Sequence, residues 1–484
     1  MLESPIELSA FSSGASLRRS VRANTLTLAP GAPVADALPL LEMAHVDAVA
    51  VVDAERGVPL GILTLRDVLR RVVSAGAPLD TPVAAVMTGG LVTLSADATI
   101  HAAGVQMVRR RLRHVVLVEP DGRFAGVVSQ SDLFSRSRGR GGELMDAIAG
   151  AADIEALAHA AALIRRHAAE LLAEGMATET LCQQVSALND LVSLQAIDLV
   201  AANFELPYVP WCWLAFGSEG RLEQTLSTDQ DNGLLFLAEL PEETERLRQQ
   251  FLPFAQAVNK ALDACGFPLC KGNVMAGNAE LSLSLDEWRS RFDGWLQLPE
   301  PQAVLNATIF FDFRPLAGDE GLASALRQHL FARVPMYDNF LRAMVQASLE
   351  WSSPLGWFST FRYDNNPDFP HTLDIKKHGV RPWVDAARVW ALANGVAATN
   401  TAERLRSVAP RIGMPHEELT AYLAALDHAQ RLRLRRQVSA SVPAEANLID
   451  PDDLNELDRL IMKEVFKQVK LVQQRLERSF GLGS

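Results

Sequence analysis

The chain has 484 residues, enough for about three domains of ordinary size. Hydrophobic residues make up 48% of it and charged residues 21%, a globular composition with well-filled cores. A net charge of −12 argues against a surface built to wrap nucleic acid. No window approaches 18 continuous apolar residues, so no membrane span is predicted. The opening stretch, MLESPIELSAFSSGASLRRS, lacks the apolar core of a signal peptide, and the expected compartment is the cytoplasm. Cys182, Cys212, Cys265 and Cys270 do not have the spacing of a zinc site and read as small buried hydrophobes.

In chain order, an internal repeat comes first, over residues 17–138. Gly61-Ile62-Leu63-Thr64-Leu65-Arg66-Asp67-Val68 recurs as Gly126-Val127-Val128-Ser129-Gln130-Ser131-Asp132-Leu133. The offset is 132 − 67 = 65 residues. Each copy (17–78 and 79–138) reads as strand, helix, strand, turn, strand, helix, with Ala48 to Val52 and Val115 to Val118 as central strands. The doubled G-[IV]-[LV]-[TS]-x-x-D-[VL] resembles a tandem CBS pair, a regulatory module that commonly binds adenine nucleotides and associates as dimers. The resemblance implies that Thr64, Asp67, Ser129 and Asp132 hold ribose and phosphate, and that the chain forms a homodimer. The other reading of Asp67 and Asp132 is that each sits in a first helical turn and favours its dipole. Arg109, Arg110, Arg111 and Arg113 read as a solvated helix face, or as a phosphate clamp for the same ligand.

Ser135 to Gly142 (SRSRGRGG) reads as a flexible basic linker. Residues 143–203 are then helical, with Leu181, Val185, Leu188, Leu191, Val192 and Leu194 forming one apolar set. The segment connects the repeat to the catalytic-type residues beyond it.

Trp211 to Leu237, WCWLAFGSEGRLEQTLSTDQDNGLLFL, carries the chemistry. It reads as a strand to Phe216, a Gly217-Ser218 turn, a short polar helical piece and a second strand bearing Asp229 and Asp231. Two carboxylates on one face of a strand repel each other unless a cation lies between them, and oxygen ligands suit Mg²⁺ or Mn²⁺. A Gly-Ser turn opening a helix offers backbone N–H groups to a phosphate. Further on, Pro241 to Cys265 is amphipathic, and Lys271 to Asn278 is a glycine-bearing loop whose Lys271 or Asn273 would approach a nucleotide. Ala307 to Arg314 (ATIFFDFR) reads as a third strand that places Asp312 in an apolar run, where an unpaired carboxylate is expensive. Asp312 is read either as a third metal ligand or as the partner of Arg314.

The string GSEGRLEQTLSTDQDN resembles the Gly-Ser…Asp-x-Asp signature of the polymerase-beta-like nucleotidyltransferases. Within that superfamily it looks like the bacterial nucleotidyltransferases that lie downstream of CBS domains and are similar to PII-protein uridylyltransferases. The resemblance implies a catalytic domain over 204–330 in which Asp229, Asp231 and Asp312 hold two Mg²⁺ ions. It also implies that Gly217, Ser218 and Arg221 hold the phosphates. Thr228 and Asn232 are expected to brace the carboxylates, while Glu219, Glu223 and Gln224 match the string without a derivable role.

Residues 335–480 read as mostly helix. A capped start is predicted at Asn400-Thr401-Ala402-Glu403, and Leu454, Leu457, Ile461, Val465, Val469, Val472 and Leu476 form one stripe of a last helix over 452–480. This tail resembles the substrate-binding domain of the same family, and its polar spot, HTLDIKKHG, offers Lys376 and Lys377 to acceptor or nucleotide. The expected fold is thus a multidomain α/β (α+β) chain. The expected function is Mg²⁺-dependent transfer of UMP or AMP from a nucleoside triphosphate to a hydroxyl, on a protein acceptor, under CBS control. The alternative is a non-catalytic adenine-nucleotide sensor acting on a partner protein. RNA as acceptor is disfavoured by the acidity and by the absence of a basic, aromatic-rich stretch.

Overall fold

The computed structural model describes residues 26–43, 48–98, 103, 107, 112, 114–129, 140–356, 360–440 and 442–482. It divides into two compact units, Met1–Ala149 and Gly150–Ser484. Among the described residues no helix is long and apolar enough to cross a membrane.

The first unit holds two three-stranded sheets of the same design. In one, β1 (Thr27–Leu28) runs parallel to β2 (Ala48–Val52), which pairs antiparallel with β3 (Pro59–Thr64). In the other, β4 (Thr93–Ser95), β5 (His114–Val118) and β6 (Phe124–Ser129) repeat that order. Even the irregularity recurs: the register shifts between Val51 and Val52 in one copy and between Leu117 and Val118 in the other. The repeat read from the sequence is therefore a repeat of backbone. The copies meet through Ala48, Ile62 and Val116, and Phe124 N donates to Gly57 O at 2.8 Å. Helix α1 (Val34–Met43) closes the first copy through Val34, Ala37 and Leu41.

Thr64 and Asp67 are committed to each other. The Thr64 amide and hydroxyl both donate to Asp67 Oδ2, at 3.0 and 2.7 Å, and Asp67 N donates back to Thr64 Oγ1. This is a reciprocal capping box. Asp67 Oδ1 also accepts from Thr88 Oγ1 at 3.0 Å. Ser129 ends β6. Asp132, Arg109, Arg110, Arg111 and Arg113 lie outside the described residues. The predicted linker is corrected at its end, because Arg140, Gly141 and Gly142 open helix α2 (Arg140–Ala149). The apolar spacing of Leu144, Met145 and Ile148 carries the helix back through the two glycines.

The second unit begins with α3 (Ile154–Ala173), capped by Asp153, and α4 (Thr178–Ala201), which is buried along most of its length. All six apolar residues of the second set predicted here are buried on α4. Next comes a four-stranded sheet in the order β10-β7-β8-β9, formed by β7 (Trp211–Ala215), β8 (Asn232–Phe236), β9 (Ser282–Ser284) and β10 (Arg314–Gly318). The single turn α5 (Gly217–Gly220) follows β7, and α6 (Thr244–Ala264) follows β8. Beyond β9, α7 (Leu285–Gln297) starts at a Ser284–Glu287 capping box.

The predicted third strand is wrong. Residues Pro301–Phe310 form helix α8, the chain turns at Phe311 to Phe313, and β10 begins only at Arg314. The β-branched and aromatic residues favour a strand locally. Proline at the first helical position, together with burial of Ala303, Val304, Ala307 and Phe310 on one helical face, overrides that preference.

The tail adds α9 (Glu320–Arg333), α10 (Asp338–Leu349), α11 (Arg381–Ala393), α12 (Thr401–Val408), α13 (His416–Ser439) and α14 (Glu456–Ser479). A two-residue ribbon joins β11 (Leu373–Asp374) to β12 (Leu448–Ile449). Asn400 caps α12, as its sequence predicts. The last helix starts later than expected, at an Asn455 cap, and Leu457 in its first turn is 66% exposed and off the stripe. One hydrophobic cluster runs from Cys212 and Leu214 of the sheet through Phe310, Trp383 and Trp390 to Leu476 of α14. Sheet and tail therefore share a core.

At Gly220 the backbone of α5 is pressed against the 311–313 turn. A β-carbon there would lie 1.8 Å from Asp312 O and 2.8 Å from Ala215 O. Both neighbours are main chain and cannot swing away. Gly220→Ala is therefore expected to lose at least ~2 kcal/mol of stability, read as a lowered thermal midpoint of the full chain.

Candidate active site

The end of β7 and the start of β8 lie side by side. Ala215 pairs with Asn232, and Phe216 N donates to Asp231 O at 2.8 Å. This register sets the Gly-Ser turn against the acidic pair. Gly217 has a φ of +54°, and a β-carbon on it would sit 2.8 Å from Asp231 Oδ2. Only glycine lets the turn and the carboxylate approach this closely. The first hydrogen bond of α5 is Gly220 N to Phe216 O, so the Gly217, Ser218 and Glu219 N–H groups lie at the open end of the turn.

Asp229 and Asp231 precede the strand rather than lie on it, because β8 starts at Asn232. They are still paired: burial first, and Asp229 next, push the Asp231 carboxyl up to about 7. Asp229 is exposed and Asp231 half-buried. The Cys270 thiol donates to Asp231 Oδ1 at 3.6 Å. That contact brings in the loop carrying Lys271 and Asn273, both exposed, with Asn273 at a φ of +55°. Lys376 opens a short π-helical turn, Lys376–Val380, that leads into α11. Its ammonium is held below its usual value by burial and then by Arg433, against the attraction of Asp229 and Asp231. Lys376 and Lys377 are both exposed, and Lys377 pairs with Asp374 at 3.4 Å.

Asp312 does not join this pair, and its reading as a metal ligand is corrected. Its carboxylate is fully buried between three guanidinium groups: Arg388 Nη2 at 2.7 Å, Arg404 Nη1 at 2.7 Å and Arg221 Nη1 at 2.8 Å. Burial is the largest single influence on this carboxyl and opposes its charge. Arg388, Arg404 and Arg221 together outweigh it and hold Asp312 well below the usual carboxylate range. Arg314, the predicted partner, pairs instead with Asp190 of α4 at 2.5 Å and donates to Glu219 O. Arg221 is likewise occupied, binding Glu223 Oε2 at 2.8 Å as well as Asp312. It is a strut of the loop, not a free phosphate ligand.

The remaining residues of the string acquire parts that the sequence did not reveal. Glu223 accepts the Thr401 N–H at the start of α12, where a carboxylate is favoured by the helix dipole. Asn400 Nδ2 donates to Arg221 O. Gln224 is hung from α4, with its N–H on Ser186 Oγ at 3.1 Å and its Oε1 on Asn189 Nδ2 at 3.3 Å. Glu219 is buried, and its carboxyl is pushed up to about 8 by that burial and then by Asp190. Thr228 reaches only the Asp229 carbonyl, at 3.3 Å. Asn232 braces the loop, not the carboxylates, because its Oδ1 accepts from Asn259 Nδ2 and Ala276 N. Gln230 completes that bracing by donating to Asn259 O and Phe267 O.

Among the described residues no group of three or more His, Cys, Asp or Glu side chains is placed to hold a metal ion. The adjacent oxygen donors of Asp229 and Asp231 fit one hard cation whose shell is completed by phosphate oxygens. They do not make the predicted three-carboxylate site.

Removing one arginine leaves buried charge uncompensated, so Arg404→Met is expected to cost about 3 kcal/mol. The folded-state pKa of Asp312 lies below its unfolded value. Its stabilisation is therefore present above the unfolded pKa and lost only as pH falls through the folded one. Arg404→Met raises that folded value, so acid unfolding followed by circular dichroism moves to higher pH.

Comparison with known proteins places these elements. Residues 162–302 match the family model described as "Putative nucleotidyltransferase DUF294", and 338–480 match "Putative nucleotidyltransferase substrate binding domain". Residues 19–74 and 83–139 match the CBS domain. Among curated proteins the chain is similar to the CBS domain-containing protein YhcV of Bacillus subtilis (strain 168). The two are 29% identical over 118 residues, 24% of this chain and 82% of that protein. The uncharacterized protein MK0525 of Methanopyrus kandleri is 31% identical over 84 residues, 17% of this chain and 43% of that one. Among solved structures, an uncharacterized conserved protein from Pyrococcus horikoshii shows 28% identity and a TM-score of 0.25, covering 27% of this chain and 97% of that chain. The CBS domain protein PAE2072 from Pyrobaculum aerophilum, complexed with AMP, shows 24% identity and a TM-score of 0.24, covering 27% and 95%.

Proposed function

We propose, for a chain that belongs to the DUF294 nucleotidyltransferase family and carries a CBS pair and the family's substrate-binding domain, that the β7–β8 site transfers a nucleotide. The donor is UTP or ATP and the acceptor a hydroxyl on a protein, as in the PII uridylyltransferases that the sequence resembles. The observation that carries the proposal is the close approach of the Gly217-Ser218 turn to Asp231, where a β-carbon on Gly217 would lie 2.8 Å from Oδ2.

In this reading the open N–H groups of the Gly217-Ser218 turn and the Ser218 hydroxyl orient the triphosphate. Asp229 and Asp231 hold Mg²⁺, or Mn²⁺, which when bound polarises the α-phosphate and neutralises developing charge. Lys376, whose charge the same carboxylates favour, meets the anionic ligand from the tail side. The acceptor hydroxyl gives its proton to water, its oxygen forms a bond to the α-phosphorus, the bond to the bridging oxygen breaks, and pyrophosphate leaves. The CBS pair is the regulatory unit, with an adenine nucleotide as its ligand and a second copy of the chain as its partner. The protein works in the cytoplasm.

The test is label transfer from α-³²P UTP and, separately, α-³²P ATP, with Mg²⁺ and a cytoplasmic extract. Label is expected on one protein band. Asp229→Asn/Asp231→Asn is expected to reduce it at least about a hundredfold. One observation favours a second reading, an adenine-nucleotide sensor without catalysis: the carboxylate expected to complete the metal site is locked by three arginines. Background label from both proteins, alongside equal AMP or ATP binding, would replace the first reading with the second.

A further inference from the structure

Arg433, on α13, is a buried cation without a counterion. It is 6% exposed, and its Nε donates to Asn447 Oδ1 at 2.8 Å. Its Nη1 and Nη2 have no partner among the described residues, and both keep access to open space. The carboxylates around it are already spent. Asp374 accepts the Lys377 N–H at 3.1 Å and pairs with the Lys377 ammonium at 3.4 Å. Glu223 is held by Arg221 and by the Thr401 N–H. Burial pulls the Arg433 guanidinium down to about 10, against the attraction of Cys182 and Asp374. A buried charge of this kind is costly until an anion meets it.

Hydrogen bonds set this cation close to the acidic pair. Asn447 takes Arg433 through its side chain and the Ile375 N–H through its carbonyl, at 2.9 Å, so one residue fixes both Arg433 and the start of the Lys376 turn. The turn also rests on α13 one helical turn before Arg433, where a β-carbon on Gly379 would lie 3.4 Å from the Ala429 β-carbon. One helical turn after Arg433, Gln437 Oε1 accepts the Leu226 N–H at 2.9 Å and so holds the loop that runs into Asp229. Lys376 is within electrostatic reach of both groups. Beyond the cost of burial, its charge is opposed by Arg433 and favoured by Asp229 and Asp231.

We infer that Arg433, together with Lys376, binds the β- and γ-phosphates of the donor, the part that leaves as pyrophosphate. The inference rests on the nucleotide-transfer reading and adds a residue of the tail to its site. Two neighbouring cations that no carboxylate neutralises suit a multiply charged anion, and a guanidinium takes phosphate oxygens in two parallel hydrogen bonds. A triphosphate whose α-phosphate lies at the acidic pair extends its free end to these cations. They then balance the charge that gathers on pyrophosphate as it departs.

The test titrates inorganic pyrophosphate with Mg²⁺ into the full chain by isothermal calorimetry. Arg433→Met and Lys376→Met are each expected to weaken its binding about tenfold or more, and Arg433→Lys to recover part of the loss. Without pyrophosphate, Arg433→Met is expected to keep or raise the thermal midpoint, because it removes an unpaired buried charge. Lys376→Met, at an exposed position, carries the test if Arg433→Met does not fold. Pyrophosphate bound as tightly by the folded variants as by the wild type overturns the inference and leaves nucleotide transfer standing. A wild type that binds no pyrophosphate overturns it too. Failure of the underlying reading is seen separately, as the absence of label from either α-³²P donor.

Discussion

The buried carboxylate of Asp312 is the interaction on which the second unit depends. It ties four pieces of chain together: the turn before β10, the loop after α5 through Arg221, helix α11 through Arg388 and helix α12 through Arg404. The charges balance. Arg388 also pairs with Asp385 at 2.7 Å and Arg221 with Glu223 at 2.8 Å, so three guanidiniums meet three carboxylates. Desolvating so many charges is tolerable only when each finds its counterpart in good geometry. The loop that presents the acidic pair is thereby fixed to helices of the tail.

Around this anchor, the site is an outcome of backbone register. The Ala215–Asn232 pairing places Gly217 beside Asp231, and the amide network of Gln230, Asn232 and Asn259 holds the 268–278 loop next to them. Glu223 and Asn400 join the loop after α5 to the start of α12, and Gln224 joins that loop to α4. The conspicuous polar residues of the GSEGRLEQ string are therefore fasteners more than reactants. They fix where the turn and the carboxylates stand, and a transfer reaction needs that geometry held before the substrate arrives.

What was legible in the sequence was local. The doubled motif foretold two sheets of one topology, because both strand pattern and turn chemistry lie within a few residues. The closeness of Gly217 to Asp231 was legible because one hairpin-like excursion between paired strands returns the chain to its start. Asp312 was not legible. Two of its partners lie 76 and 92 residues away, and nothing near residues 388 or 404 announces a buried carboxylate. Ala307 to Phe313 failed for a related reason, since β-branched and aromatic residues suit a strand until burial on a helical face decides otherwise. Thr64 and Asp67 illustrate the opposite hazard. A motif suited to gripping a ribose is equally suited to capping its own helix, and here Thr64 and Asp67 Oδ2 form the cap.

The shared core of sheet and tail has a consequence for how such chains are inherited. The two matched segments, 162–302 and 338–480, are separate in sequence, but their apolar side chains belong to one cluster, from Cys212 to Leu476. A recombination breakpoint near residue 335 would divide Phe310 and Phe311 from Phe340 and strand both halves with open apolar faces. Selection would discard such hybrids before any activity could be tried. The two matched segments are therefore one folding unit, and neither closes its core without the other.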